Sequence, residues 1–175
     1  MGRSKSHLIV GIIFTAIGLC LLTAMLFWTV SLEGYGITYE ETVPKTYTFQ
    51  SYQYFAGKTH HYLIYVEEEE KPLIIHGIYL RNTNNDILEQ LPKGERLSCF
   101  VTEASKVKYA YDIAEIKSAK GDILTLDGYN AAGLSNQKVG CVLVAVFAAF
   151  FLLLGILFLV KFFFPKTLFW FFGYA

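Results

Sequence analysis

Two membrane-crossing α-helices flanking a small β-rich domain is the architecture this sequence predicts, and three observations predict it. Hydrophobic residues fill 54% of the 175 positions, above the range usual for soluble domains. The excess collects at the two ends, in uncharged runs over residues 8–30 and 139–160. Between them the composition turns to Tyr, Thr, Ile and Val broken by turn residues, which is strand chemistry.

As helices rising 1.5 Å per residue, the end runs reach roughly 33 to 35 Å, enough to cross a hydrocarbon core of about 30 Å. Residues 8–30 are expected as the first span and 139–164 as the second. An even number of crossings puts both termini on one side. The ends carry only Arg3, Lys5, Lys161 and Lys166, whereas all 15 acidic residues lie between Glu33 and Asp127. Basic flanks stay cytoplasmic, so residues 1–7 are expected in the cytoplasm and the middle segment outside it. The first apolar run is longer than a signal-peptide core and no small-x-small cleavage site follows it, so it reads as an uncleaved anchor. Of the three cysteines, Cys20, Cys99 and Cys141, only Cys99 lies in the middle segment. No disulfide within that segment is possible, and its stability must come from its core.

The extracytoplasmic domain is expected over residues 37–129, with six strands. The first covers 44–55, where Tyr47 and Phe49 share a parity that Tyr52 and Tyr54 do not, predicting a bulge near Gln50 and Ser51. Residues 60–66 alternate Tyr62, Ile64 and Val66 against Leu63 and Tyr65. "EEEEKP" reads as a solvated connection, and 73–80 as a third strand with Ile74, Ile78 and Leu80 on one side. "NTNND" suits the cap of a short helix around residues 87–91, which Pro92-Lys93-Gly94 ends. Residues 95–102 alternate with Leu97, Cys99 and Val101 inward, and 111–117 with 123–126 form a hairpin. Three strands, a short helix and further strands is the order of an OB-like barrel. An open antiparallel α+β sandwich fits the same order.

The stretches "LPKGERLSCFV", "YAYDIAEIKSAKGDILTL" and "DGYNAAG" ahead of a closing helix resemble small two-helix bacterial membrane proteins, mostly Gram-positive, of unknown function with a β-rich domain outside the cytoplasm. The resemblance implies a bacterial plasma membrane and brings no catalytic residues.

Chemistry-bearing motifs are sparse. His60 and His61 are adjacent, so in a strand they point to opposite faces and do not share one ion; no metal site is expected. The glutamate run lacks the interspersed ligands and glycine of a calcium loop. Ser98, Cys99, His76 and Asp112 supply the letters of a nucleophilic site without a nucleophile elbow, and no Walker loop or dinucleotide fingerprint occurs. The expectation is a protein without catalytic residues or cofactor and without a nucleic-acid partner.

Small residues recur along the spans at Gly11, Thr15 and Gly18, and at Cys141, Ala145 and Ala149, faces that permit close helix packing. Pro165 stops the second helix, Lys161 snorkels to the headgroups, and residues 165–175 read as an interfacial tail anchored by Trp170 and Tyr174. That tail is alternatively a docking surface for another membrane protein. The function expected from these features is a non-enzymatic membrane-tethered binding or accessory protein, contacting lipid through its helices and a protein or envelope component through the β domain, with Tyr52 and Tyr54 as the contact candidates. The alternative is a small stabilising subunit of a larger transporter or secretion complex.

Overall fold

A computed structural model of the chain describes residues 5–32, 35–102 and 108–164. The elements run α1 (Lys5–Ser31), a 3₁₀ turn (Tyr39–Glu41), β1 (Thr42–Phe55), β2 (His61–Val66), β3 (Leu73–His76), a second 3₁₀ turn (Gly77–Asn82), α2 (Asn85–Glu89), β4 (Arg96–Thr102), β5 (Tyr111–Ser118), β6 (Gly121–Leu124) and α3 (Leu126–Phe163). They form two compact units, residues 35–136 and residues 1–34 with 137–175.

In the first unit the six strands make one sheet in the order β3-β2-β1-β4-β5-β6, antiparallel between neighbours, with a short parallel pairing of β3 to β5 at Leu73↔Tyr111 and Ile74↔Asp112. β1 is the longest strand because it serves two partners: residues 42–48 pair with β4 and 49–55 with β2. The register shift between Phe49 and Ser51 falls at this handover, where the parity of the tyrosines changes. Tyr47, Phe49, Tyr62, Ile64, Leu73, Ile75, Leu97, Cys99, Ile113, Ile116 and Leu124 fill the main core. Leu63, Ile74 and Ala110 make a smaller cluster on the opposite face of the β2–β3 pair, with Tyr65 against it. Cys99 is fully buried in this core, and burial pushes its thiol up to about 12.

The third strand is shorter than its apolar pattern suggests. β3 ends at His76 and the chain turns into the 3₁₀ segment at Gly77, whose backbone passes so close to the His60 carbonyl that a side chain there would collide with it. Ile78 is consequently exposed, while Ile75 and Tyr79 supply the core contacts. The glutamate run is also not a free connection. Glu68 accepts hydrogen bonds from the Thr48 amide (2.8 Å) and hydroxyl (2.6 Å), and Glu69 accepts one from Lys45 (2.8 Å). These bonds fasten the β2–β3 loop to the bend of β1, and they hold both carboxyls below the ordinary glutamate range.

Asn84 begins α2 by accepting from the Ile87 amide, and Thr125 caps α3 by accepting from the Gly128 amide at 3.1 Å. Glu115 is buried, yet its Oε2 accepts from the Tyr39 hydroxyl (2.8 Å) and the Leu126 amide (3.1 Å), and its Oε1 meets Lys117 Nζ at 2.9 Å. One carboxylate therefore joins the chain ahead of β1, strand β5 and the first turn of α3. Asn130 adds a second tie, accepting from the Ile37 amide and donating to its carbonyl, each at 2.9 Å. Gly36, at φ +142°, lies against that amide, where a side chain would meet both strain and Asn130.

In the second unit, two helices long and apolar enough to cross a membrane pair antiparallel: His7 stacks on Phe158 at one end, and Trp28 Nε1 donates to Gln137 Oε1 at 3.0 Å at the other. A seam of covered positions on α1, His7, Gly11, Phe14, Gly18, Leu21, Met25 and Trp28, steps alternately by four and three, with Leu8, Val10 and Thr15 half-buried beside it. That is the 3.5-residue period of a left-handed helix pair. Gly11 and Gly18 are buried because a side chain there would drive into Leu159 and Leu152, and Gly155 receives Thr15. On α3, Cys141 and Ala148 are buried, Ala145 is half-buried and Ala149 is exposed. The sequence reading set Ala149 on the packed face; strict steps of four drift about 40° each around a 3.6-residue helix, so the seam passes to Ala148. Lys161 is exposed in the last turn of α3. Trp170 and Tyr174 lie outside the described residues.

Candidate binding surface

Every residue from 50 to 60 is exposed, and this stretch, the β1–β2 hairpin end, is the most aromatic exposed part of the β unit. It extends beyond the core because β4 leaves β1 at Thr48, so the last residues of β1 have only β2 beside them. Strand alternation sorts their side chains onto two faces.

On one face, Tyr52 and Tyr54 flank Tyr62, at ring-centroid separations of 5.9 and 4.8 Å. Tyr62 is buried and donates to Glu89 of α2 at 2.8 Å; burial first, and that carboxylate second, push its phenol well above the ordinary range. Tyr62 is thus a fixed base on which the two exposed tyrosines rest. Tyr54 also stacks on His60, and its hydroxyl lies 2.9 Å from His60 Nδ1. These contacts hold the exposed rings in place, so a ligand meeting them loses little rotamer entropy.

On the other face a row crosses four strands. Phe55 stacks on His61 with ring centroids 5.0 Å apart and planes 10° apart, His61 pairs in register with His76, and His76 Nε2 lies 2.7 Å from Asp112 Oδ1. Asp112 is buried and His76 is one-third exposed, so the carboxylate orients the imidazole toward the surface. Among the described residues no group of three or more His, Cys, Asp or Glu side chains is placed to hold a metal ion.

Tyr52 and Tyr54, the contact candidates from sequence, both belong to this surface, 37% and 45% exposed. Phe55, His60 and His61 join them, and the adjacency of the two histidines is the signal that could have pointed there: one histidine backs each face. The His61–His76–Asp112 alignment carries no local signal, since it depends on the register of three strands. Ser98 is an exposed strand residue and Cys99 is in the core, so the nucleophile letters do not assemble.

No family model, curated protein or solved structure matches this chain.

Proposed function

We propose that the chain is a non-enzymatic membrane-tethered binding protein, anchored by α1 and α3, whose β domain stands outside the cytoplasm and contacts a protein or envelope component through the β1–β2 hairpin end. The observation that carries the reading is the set of exposed rings Tyr52, Tyr54 and Phe55, each braced on a neighbour and none required to fill the core. Aromatic rings held rigidly at a surface give large contact area at low entropic cost, which is the chemistry of binding anchors.

The pairing circuit supports an OB-like closed barrel as the finer description of the domain: β1-β2-β3 antiparallel, β3 to β5 parallel, β5-β4-β1 antiparallel, with α2 between β3 and β4. Folds of that kind bind through one sheet face and its adjoining loops. The basic ends and acidic centre support termini in the cytoplasm. In this reading the plasma membrane is bacterial, as the sequence resemblance implies.

The test is in-cell photocrosslinking from a benzophenone side chain at position 54, with position 93 as control. One discrete adduct from position 54, weakened about tenfold or more by Tyr52→Ala, is expected, since aromatic anchors of this size contribute on the order of 2 kcal/mol. Equal labelling from both positions would remove the hairpin end from the binding site.

A further inference from the structure

From the unpaired edge of β1 we infer that a second copy of this chain docks there, strand to strand, in an antiparallel arrangement centred on Gln53. The inference rests on the proposed membrane tether and names a partner for the same hairpin end.

Residues 51–55 pair with β2 along one edge, with Gln50 skipped at the register shift, while the other edge, once β4 has left at Thr48, has no strand beside it among the described residues. Half of the backbone N–H and C=O groups of that segment therefore face outward, and all of its residues are exposed. Natural edges are ordinarily blunted by charge, proline or a bulge. The bulge of β1 precedes Ser51 and its only proline is Pro44, in the half covered by β4. The segment itself, Ser-Tyr-Gln-Tyr-Phe, has neither charge nor proline and is rich in strand-forming aromatics.

What pairs with it follows from its symmetry. Antiparallel pairing of two identical copies about Gln53 sets Gln53 opposite Gln53, Tyr52 opposite Tyr54 and Ser51 opposite Phe55. A primary amide is both donor and acceptor, so two glutamines satisfy one another, and no like charges meet. Tyrosine faces tyrosine across the junction, a favourable cross-strand pair. The side-chain faces stay open, so a dimer presents two hairpin surfaces side by side. Five residues of strand pairing bury less than the roughly 1,000 Å² of a stable solution interface. Confinement of both copies in one bilayer raises their effective concentration and offsets that shortfall.

The test uses the full chain with Cys20→Ser, Cys99 and Cys141 being buried, carrying Gln53→Cys or, as control, Lys93→Cys. Mild oxidation of intact membranes is expected to give a dimer-mass product from Gln53→Cys about tenfold or more faster than from Lys93→Cys. Gln53→Lys, which opposes two like charges on an exposed site, is expected to shift the protein to single-step photobleaching in vesicles where the unmodified chain gives two steps. Equal crosslinking rates, a Gln53→Cys adduct only with a different protein, or unchanged photobleaching in Gln53→Lys would each overturn the inference. Sedimentation of the same membranes after alkaline washing reports on the tether separately, so a failed anchor is distinguished from a failed dimer.

Discussion

Glu115 ties together three separate parts of the β unit, and its chemistry gives a prediction at the scale of one residue. Burial raises its pKa, but the bonds from Lys117, Tyr39 and the Leu126 amide outweigh burial and leave it below the ordinary glutamate value. A carboxyl with a depressed folded pKa adds stability above its unfolded value, near 4.3, and that stability is lost as pH falls through the lower folded value. Glu115→Gln should cost about 2 kcal/mol at neutral pH, because three polar groups lose a charged acceptor. Amide exchange of β5 at pH 7 reads this as a roughly thirty-fold fall in protection. The variant should also lose less stability than the parent between pH 5 and 3, the sign opposite to a merely looser fold. Nothing local in "YDIAEIKS" distinguishes Glu115 from a surface glutamate, and its two partners outside β5, Tyr39 and Leu126, are distant in sequence. The bulge of β1 was legible because Tyr52 and Tyr54 break the alternation of their own strand.

The helices and strands were readable to different depths. The two long apolar helices announce themselves by length and lack of charge, and the packed face of α1 by Gly11 and Gly18. Gly18→Leu puts a side chain into Leu152, where even a Cβ would sit 2.7 Å from Cγ. Overpacking of that kind costs about 1–3 kcal/mol. Titration with sodium dodecyl sulfate in mixed micelles should release the Trp28–Gln137 contact at lower detergent fraction in Gly18→Leu, while Cys20→Leu, on an exposed position, leaves the midpoint unchanged. Thr125→Ala should remove the cap of α3 and cost about 1 kcal/mol, measured as faster exchange of the Gly128 amide. The end of β3 was not legible, since the apolar run over residues 73–80 continues unbroken through the 3₁₀ turn, and the close approach of the His60 carbonyl to Gly77 is a contact between two segments of the chain that no local pattern records. Nor was the role of Glu68 and Glu69, because four like charges in a row look solvated until the bend of β1 brings Thr48 and Lys45 beside them.

At the scale of the whole molecule, sequence separated the chain into its apolar ends and a polar middle because that division is one of composition, and composition is local. The pairing of β3 with β5, which lets the strands form a circuit, joins residues almost forty positions apart and rests on register alone. The account of function depends on that middle unit standing outside the cytoplasm while the helices hold it to lipid. Gly57, at the tip of the hairpin, has open space around any side chain placed there, so Gly57→Cys in a Cys20→Ser chain is a clean reporter. A membrane-impermeant maleimide applied to intact cells should label Gly57→Cys at once and label Ser4→Cys only after permeabilisation. Labelling of Ser4→Cys from outside, or protection of Gly57→Cys until the membrane is opened, would contradict the account.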